Sequence, residues 1–287
     1  MPNIQRPQNR EKIIMDHNLA YTIEYFIKES AAQAESRDYF RSPLVGFSSA
    51  DDPLYDRVVE IVGPHHQRPK DFLPNAKTVI SFFIPFRKTT VRTNRSNGPV
   101  AELWGRSYLE ANKLINRLNV TLGDFLQAQG LDSASVPATH TYDPKTLKAG
   151  WSHRSAAFVA GLGRFGLNRM LITRLGCAGR FGTIFTSAEL PVSERSEEEL
   201  CLYYKNGGCR ACLKICPVSA VTENGFDRFK CHDQLLINKD YLSGKGTPAD
   251  VCGKCVVAGP CAFKEADRSD HAPLTDGNIF DDLSAAI

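Results

Sequence analysis

Eight of the nine cysteines in this 287-residue chain fall between Cys201 and Cys261, and only Cys177 stands apart. Cysteines crowded in this way form disulfides in an oxidising space and hold metal or redox centres in a reducing one. Cys209-x2-Cys212-x3-Cys216-Pro217 is most of the bacterial ferredoxin run, in which three thiolates in a tight loop hold one [4Fe-4S] cluster and the cysteine before proline reaches another. Cys231 and the run Cys252-x2-Cys255-x5-Cys261 complete a set of eight, the number that two four-ligand clusters require. The crossed ligation of two-cluster ferredoxins assigns Cys201, Cys209, Cys212 and Cys261 to one cluster, and Cys216, Cys231, Cys252 and Cys255 to the other. Asn206 stands where the ferredoxin run places its first cysteine, so Cys201 must loop in from eight residues upstream of Cys209. Two C-x2-C knuckles also suit tetrahedral zinc. The 39 residues between them, the C-x3-C-P continuation and the count of eight favour clusters. Cys177, between Gly176 and Ala178, reads as a small buried residue.

A second group of residues lies upstream. Gly161-Leu162-Gly163-Arg164-Phe165-Gly166 matches G-x-G-x-x-G, the dinucleotide fingerprint when a strand precedes it and a helix follows. Here HRSAAFVA before it reads as helical and LNRMLIT after it as extended, so the helix N-terminus that would receive a pyrophosphate is missing. Together with Gly176, Gly179 and Gly182, these glycines read as turns, or as backbone packed closely against a large flat ligand or another strand. Gly161, Gly163, Gly166 and Asn168 are the candidate cofactor contacts. His140, Tyr142, Asp143 and His153, side chains able to donate a proton to a reaction fed with electrons by such clusters, gather just before the glycines. His153, Asp143 and Tyr142 are the candidate catalytic groups. Against those roles, His153 can serve as a packed or capping helix residue, and Tyr-Asp-Pro is also an ordinary turn sequence. His65-His66 reads as a solvated loop. The basic loop carrying Arg87, Lys88, Arg92 and Arg95 is either solvated or a phosphate contact.

The elements that position these groups can be read from periodicity. Apolar residues at helical spacing predict a long helix from Arg10 to about Glu35, and Asp52-Pro53 opens a second through Val62, closed by Gly63-Pro64. Strands are predicted at LVGF after Pro43 and at Lys77–Phe86, followed by a polar loop to about Gly98. The stripe Leu109, Leu114, Ile115, Leu118, Leu122, Phe125 and Leu126 predicts a helix within residues 99–130, SASVPATH is extended, and NRMLIT and RFGTIFTSA read as two further strands. The fold class is therefore α+β. After Pro191 the composition turns acidic and turn-forming, which divides the chain into an α+β cofactor and substrate domain over 1–195, a small ferredoxin-like domain over 196–266, and an acidic tail over 267–287. With net charge +3, no apolar stretch behind Arg6 and Arg10 and no run long enough to span a bilayer, the expectation is a cytoplasmic protein without a membrane partner.

The combination of SHRSAAFVAGLGRFGLNRMLIT, GRFGTIFTSAELP and C-x2-C-x3-C-P resembles the epoxyqueuosine reductase family and its relatives, the corrinoid reductive dehalogenases; VGFSSADDPLY and FLPNAKTVISFFIPF are also similar to that family. The likeness runs over roughly residues 40–265. It implies an N-terminal mixed-sheet domain that holds a base-off corrinoid (cobalamin), with two [4Fe-4S] clusters supplying it with electrons. An electron-donor protein of ferredoxin or flavodoxin type is the implied partner, and a small organic molecule the substrate. Three departures stand out. The family's helical-repeat extension has no counterpart before Ile287, so tRNA is not the expected substrate. The family's proton-donating Asp, thirteen residues before AGLG, falls on Leu147, with Asp143 nearby but out of register. The second cysteine run is C-x5-C, with Pro260 before Cys261, instead of C-x3-C-P. The alternative from another class is an electron-transfer protein that reduces a partner and has no substrate pocket of its own.

Overall fold

The computed structural model describes residues 6–139 and 142–264, with the side chains of 6–17 excepted. His140 and the 267–287 tail lie outside the described residues. The chain runs α1 (Arg6–Ala32), β1 (Leu44–Ser49), α2 (Leu54–Val62), α3 (Pro69–Phe72), β2 (Thr78–Pro85), α4 (Lys88–Thr93), α5 (Glu102–Ala128), β3 (Ser133–Ser135), α6 (His153–Val159), β4 (Gly163–Phe165), β5 (Leu171–Thr173) and β6 (Gly179–Thr186). The cysteine region follows with α7 (Leu202–Asn206), α8 (Ala211–Ile215), α9 (Arg228–Ser243) and α10 (Lys254–Val257).

A four-stranded sheet in the order β1-β2-β6-β3 forms the middle layer. Strand β2 is buried along its whole length because both of its faces are covered. Ile80, Phe82 and Ile84 face one apolar cluster with Ile23 and Ile27 of α1 and Ile115, Leu118 and Leu122 of α5. Val79 and Phe83 face a second cluster with Tyr55 and Val58 of α2 and Ala156, Ala157 and Phe158 of α6. The alternation of strand side chains thus sorts one continuous apolar run into two cores. Gly182 pairs with Phe82 across the sheet, where a methyl group would meet the Phe82 ring at 2.3 Å. The ring occupies the space that glycine leaves.

Two expectations need correction. The sheet is not mixed: every pairing in it among the described residues is antiparallel. Ala50 donates its N–H to Lys77 O, so the chain re-enters the sheet at the end where β1 left it. A nine-residue helix such as α2 spans only about 13 Å, too little to carry the chain back along a strand of roughly 20 Å. The stretch after Phe86 is not a loop throughout, since Lys88–Thr93 forms α4 with Thr90 and Val91 buried. That helix is held by tertiary packing, against the low helix propensity of its β-branched residues.

The cysteine region shares the first core. The buried cluster around α1 and α5 continues through Cys201, Leu242, Ala249, Val251, Val256, Val257 and Ala262, across the 195/196 division expected from composition. Backbone bonds bind the two parts: Cys177 N–H to Cys261 O at 2.9 Å, Ala178 N–H to Ala262 O at 3.1 Å and Lys264 N–H to Leu175 O at 3.2 Å. Arg41 adds donors to Lys264 O at 2.8 Å and Leu175 O at 2.6 Å, with its guanidinium 4.0 Å from the centre of the Phe263 ring.

Candidate functional site

Cys201 precedes α7, Cys209 and Cys212 flank the start of α8, and Cys261 lies in the turn at Pro260–Ala262. These four line one small, partly open recess, together with Leu167 and Asn168 from the end of the glycine segment. A methyl group on Gly259 would meet Cys261 Sγ at 3.5 Å and Cys209 Sγ at 3.7 Å, which puts both sulfurs against one point of the wall. Burial, then repulsion from Cys261, Cys201 and Cys209, pushes the Cys212 thiol up to about 12. Cys201, eight residues away from the ferredoxin run, therefore does face the other three.

The second group gathers beside the first. Burial, then the neighbouring Cys252 and Cys216, pushes Cys231 up to about 11. Burial, then Cys252, Cys231, Cys216 and Cys212, raises Cys255 further still. Cys255 of the second group thus also feels Cys212 of the first. Metal-free, such thiols cannot all ionise; bound to iron, the cations remove the repulsion. A single-metal site requires ligands that converge on one point, and among the described residues no three His, Cys, Asp or Glu side chains do so.

Cys177 is buried, as expected, and it touches a candidate ligand. A hydrogen bond with Cys261, followed by burial, keeps the Cys177 thiol protonated, and the same bond lowers Cys261. Asn168 ties the glycine segment to the cysteine loop, with Nδ2 donating to Cys255 O at 3.2 Å and Oδ1 accepting from Met170 N–H at 3.2 Å.

The glycines are occupied by their own chain. A methyl group would stand 2.4 Å from Glu194 O at Gly161, 2.1 Å from Ile172 O at Gly163 and 2.6 Å from Ile172 Cδ1 at Gly166. The segment forms the β4–β5 hairpin, a strand that its glycine content conceals. At these three positions the missing side chains admit backbone and an isoleucine.

The candidate proton donors are differently placed. His153 is buried, with Nδ1 2.9 Å from Thr183 Oγ1 and Nε2 3.1 Å from Pro137 O. A carbonyl can only accept, so Nε2 carries a proton that it donates to Pro137, and both ring nitrogens are engaged. Asp143 Oδ1 accepts from Lys145 N–H at 2.8 Å, Thr146 N–H at 2.7 Å and Thr146 Oγ1 at 3.1 Å, and those bonds hold its carboxyl below the usual range. It closes its own turn as a carboxylate. Tyr142 is 42% exposed, and its hydroxyl lies 2.9 Å from Nε2 of His232, the residue after Cys231. Sequence reading missed His232, because nothing local links residues 90 apart.

No protein-family model matches the chain. Among curated proteins, an epoxyqueuosine reductase of Francisella cf. novicida (strain Fx1) is 25% identical over 233 residues, covering 74% of this chain and 58% of that protein. The chain therefore spans less than two thirds of the length of this curated relative. Among solved structures, epoxyqueuosine reductase from Streptococcus thermophilus aligns at 17% identity with a TM-score of 0.53, covering 87% of this chain and 68% of that one. A catabolic reductive dehalogenase in complex with 3-bromo-4-hydroxybenzoic acid aligns at 16% identity with a TM-score of 0.53, covering 77% and 30%. No helix among the described residues is long and apolar enough to cross a membrane. The chain thus resembles epoxyqueuosine reductase in sequence and shares the fold of the aligned parts of that enzyme and of a reductive dehalogenase.

Proposed function

We propose that the protein is an iron-sulfur oxidoreductase with two [4Fe-4S] clusters, one held by Cys201, Cys209, Cys212 and Cys261 and the other by Cys216, Cys231, Cys252 and Cys255. The observation that carries this reading is the shared recess of the first four, because it joins Cys201 and Cys261, sixty residues apart, with the ferredoxin run. When bound, such clusters accept and release single electrons. The residues of the chain do the rest: Cys255 feels Cys212 across the two ligand sets, and Leu167 with Asn168 forms part of the wall around the first. Tyr142, exposed and bonded to His232, is the proton-donating group best placed to meet a substrate.

A corrinoid as electron acceptor and a small organic molecule as substrate rest on the resemblance to epoxyqueuosine reductases. No step is assigned to Gly161, Gly163 or Gly166, whose surroundings are filled. That filling favours the second reading, an electron-transfer protein that takes electrons from a ferredoxin- or flavodoxin-type donor and reduces a partner. One neighbour is an epoxyqueuosine reductase solved with an epoxyqueuosine-modified tRNA stem loop, which restores tRNA to the substrates worth testing. Anaerobic reconstitution with iron, sulfide and cobalamin separates these readings. About eight irons per chain are expected, and half that or a zinc-only protein refutes the two-cluster reading. Cobalamin retained through gel filtration supports the corrinoid enzyme, and clusters without cobalamin support the electron carrier. Conversion of epoxyqueuosine-containing tRNA would identify tRNA as substrate.

A further inference from the structure

Lys254 lies between two candidate ligands in the run Cys252-Gly253-Lys254-Cys255, and it is 5% exposed. Its ammonium donates to three backbone carbonyls, Asn94 O at 3.1 Å, Ser96 O at 2.9 Å and Pro99 O at 3.0 Å. Three carbonyl acceptors require three N–H donors, which only the protonated amine has, so the buried side chain carries its charge. Burying an ammonium costs several kcal/mol, and neutral carbonyls offset only part of that. A methionine of similar length would fill the same space without that cost. Burial pulls the ammonium's pKa down, with the neighbouring Cys252 opposing it, and among the described residues no carboxylate pairs with it.

The neighbouring residues restrict where such a charge can enter. Gly253 has φ +69°, and a methyl group there would stand 2.3 Å from the Trp104 indole, so residue 254 is the only position between these two cysteines able to carry a side chain. The loop that receives the ammonium is itself anchored to the cysteine loop. Asn94 Nδ2 donates to Cys252 O at 2.8 Å, Asn94 Oδ1 accepts from Ala101 N–H at 3.0 Å, and Arg95 Nε donates to Val257 O at 2.8 Å. The basic loop noted in the sequence thus contributes Arg95 and its carbonyls to the second cysteine run.

We infer that Lys254 is a positioning residue for the second cluster, a fixed buried cation that raises the reduction potential of that cluster while clamping the 94–99 loop onto it. This rests on the two-cluster reading. A [4Fe-4S] cluster with four thiolates is net negative and gains one further negative charge on reduction, so a nearby cation in a low-dielectric site stabilises the reduced form more than the oxidised one. The three carbonyl bonds hold the charge at a fixed place, and Cys252 and Cys255 on either side carry the effect to the iron.

The test is an EPR-monitored redox titration of the reconstituted full chain as wild type, Lys254→Gln, Lys254→Met and Lys254→Arg, with iron content measured alongside. Glutamine keeps amide donors without charge, methionine keeps only volume, and arginine keeps charge. The expected result is that one of the two reduction steps moves to lower potential in K254Q and K254M, stays near wild type in K254R, and leaves the other step in place. Iron-replete K254Q or K254M with both steps unmoved overturns the inference, as does K254R shifted as far as K254Q. If K254M loses its iron, the comparison of K254Q with K254R decides by the same criterion. A wild-type chain that assembles fewer than two clusters refutes the two-cluster reading, a different result from unmoved potentials.

Discussion

Gly161→Ala separates a glycine kept for a ligand from one kept for its own chain. At Gly161 φ is +74°, and the added methyl group would lie 2.4 Å from Glu194 O and 3.1 Å from the Glu194 carbonyl carbon. The left-handed backbone costs an alanine about 1–2 kcal/mol. The contact is with backbone, which cannot rotate away, so an overpacking cost of about 1–3 kcal/mol adds to it. Gly130, at the end of α5, is the matched control, since its φ is also +74° but nothing lies within 4 Å of the new methyl group. Gly130→Ala should therefore lose only the backbone part. The pair predicts that G161A is less stable than G130A by about 1–3 kcal/mol, a further drop in Tm of roughly 2–4 °C per kcal/mol for a chain of this size. Urea unfolding followed by far-UV circular dichroism, with thermal melts under anaerobic reducing conditions, measures both. Equal losses in the two variants would refute the packing argument. So would a G161A protein of wild-type stability that has lost a bound corrinoid.

Two further outcomes follow from the site. Cys201→Ala should remove or alter one of the two reduction steps and lower the iron content from about eight per chain; unchanged iron with both steps intact would exclude Cys201 from the first quartet. Asp143, whose carboxyl lies below the ordinary 3.8 because its turn bonds favour the charged form, contributes stability that is fully present above that value and is lost as pH falls through the lower folded value. Asp143→Asn should flatten the acid limb of Tm against pH by lowering Tm at neutral pH while leaving the acid end near wild type, and an acid limb identical to wild type would show that the turn bonds do not depend on the charge.

Much of the scaffold was legible because its signals are local. The stripe from Leu109 to Leu126 lies within α5, and Lys77–Phe86 contains β2. Pro53 takes the cap position of α2, and Asp52 stands one residue before it, its Oδ1 accepting from Leu54 N–H at 3.0 Å. The failures share a cause as well. Strand β4 hid among glycines whose partner, Ile172, lies on the returning strand, and α4 hid because burial of Thr90 and Val91 outweighs their propensity. The antiparallel sheet could not be read, because strand direction depends on where the chain re-enters after α2 and α3.

By itself the sequence determined the inventory of this protein: eight cysteines in one sixty-residue stretch, a helix–glycine–strand segment ahead of them, and the alternation that puts β2 between two cores. These are matters of residue type and near-neighbour spacing, which a chain carries whether or not it is folded. Only the tertiary structure decided which groups meet. It brought Cys201 to Cys261, closed the glycines against Glu194 and Ile172, engaged both nitrogens of His153, set Tyr142 against His232 and buried the Lys254 charge under the 94–99 carbonyls. Each of those contacts joins residues far apart in sequence, and its energy exists only once the intervening chain has been ordered.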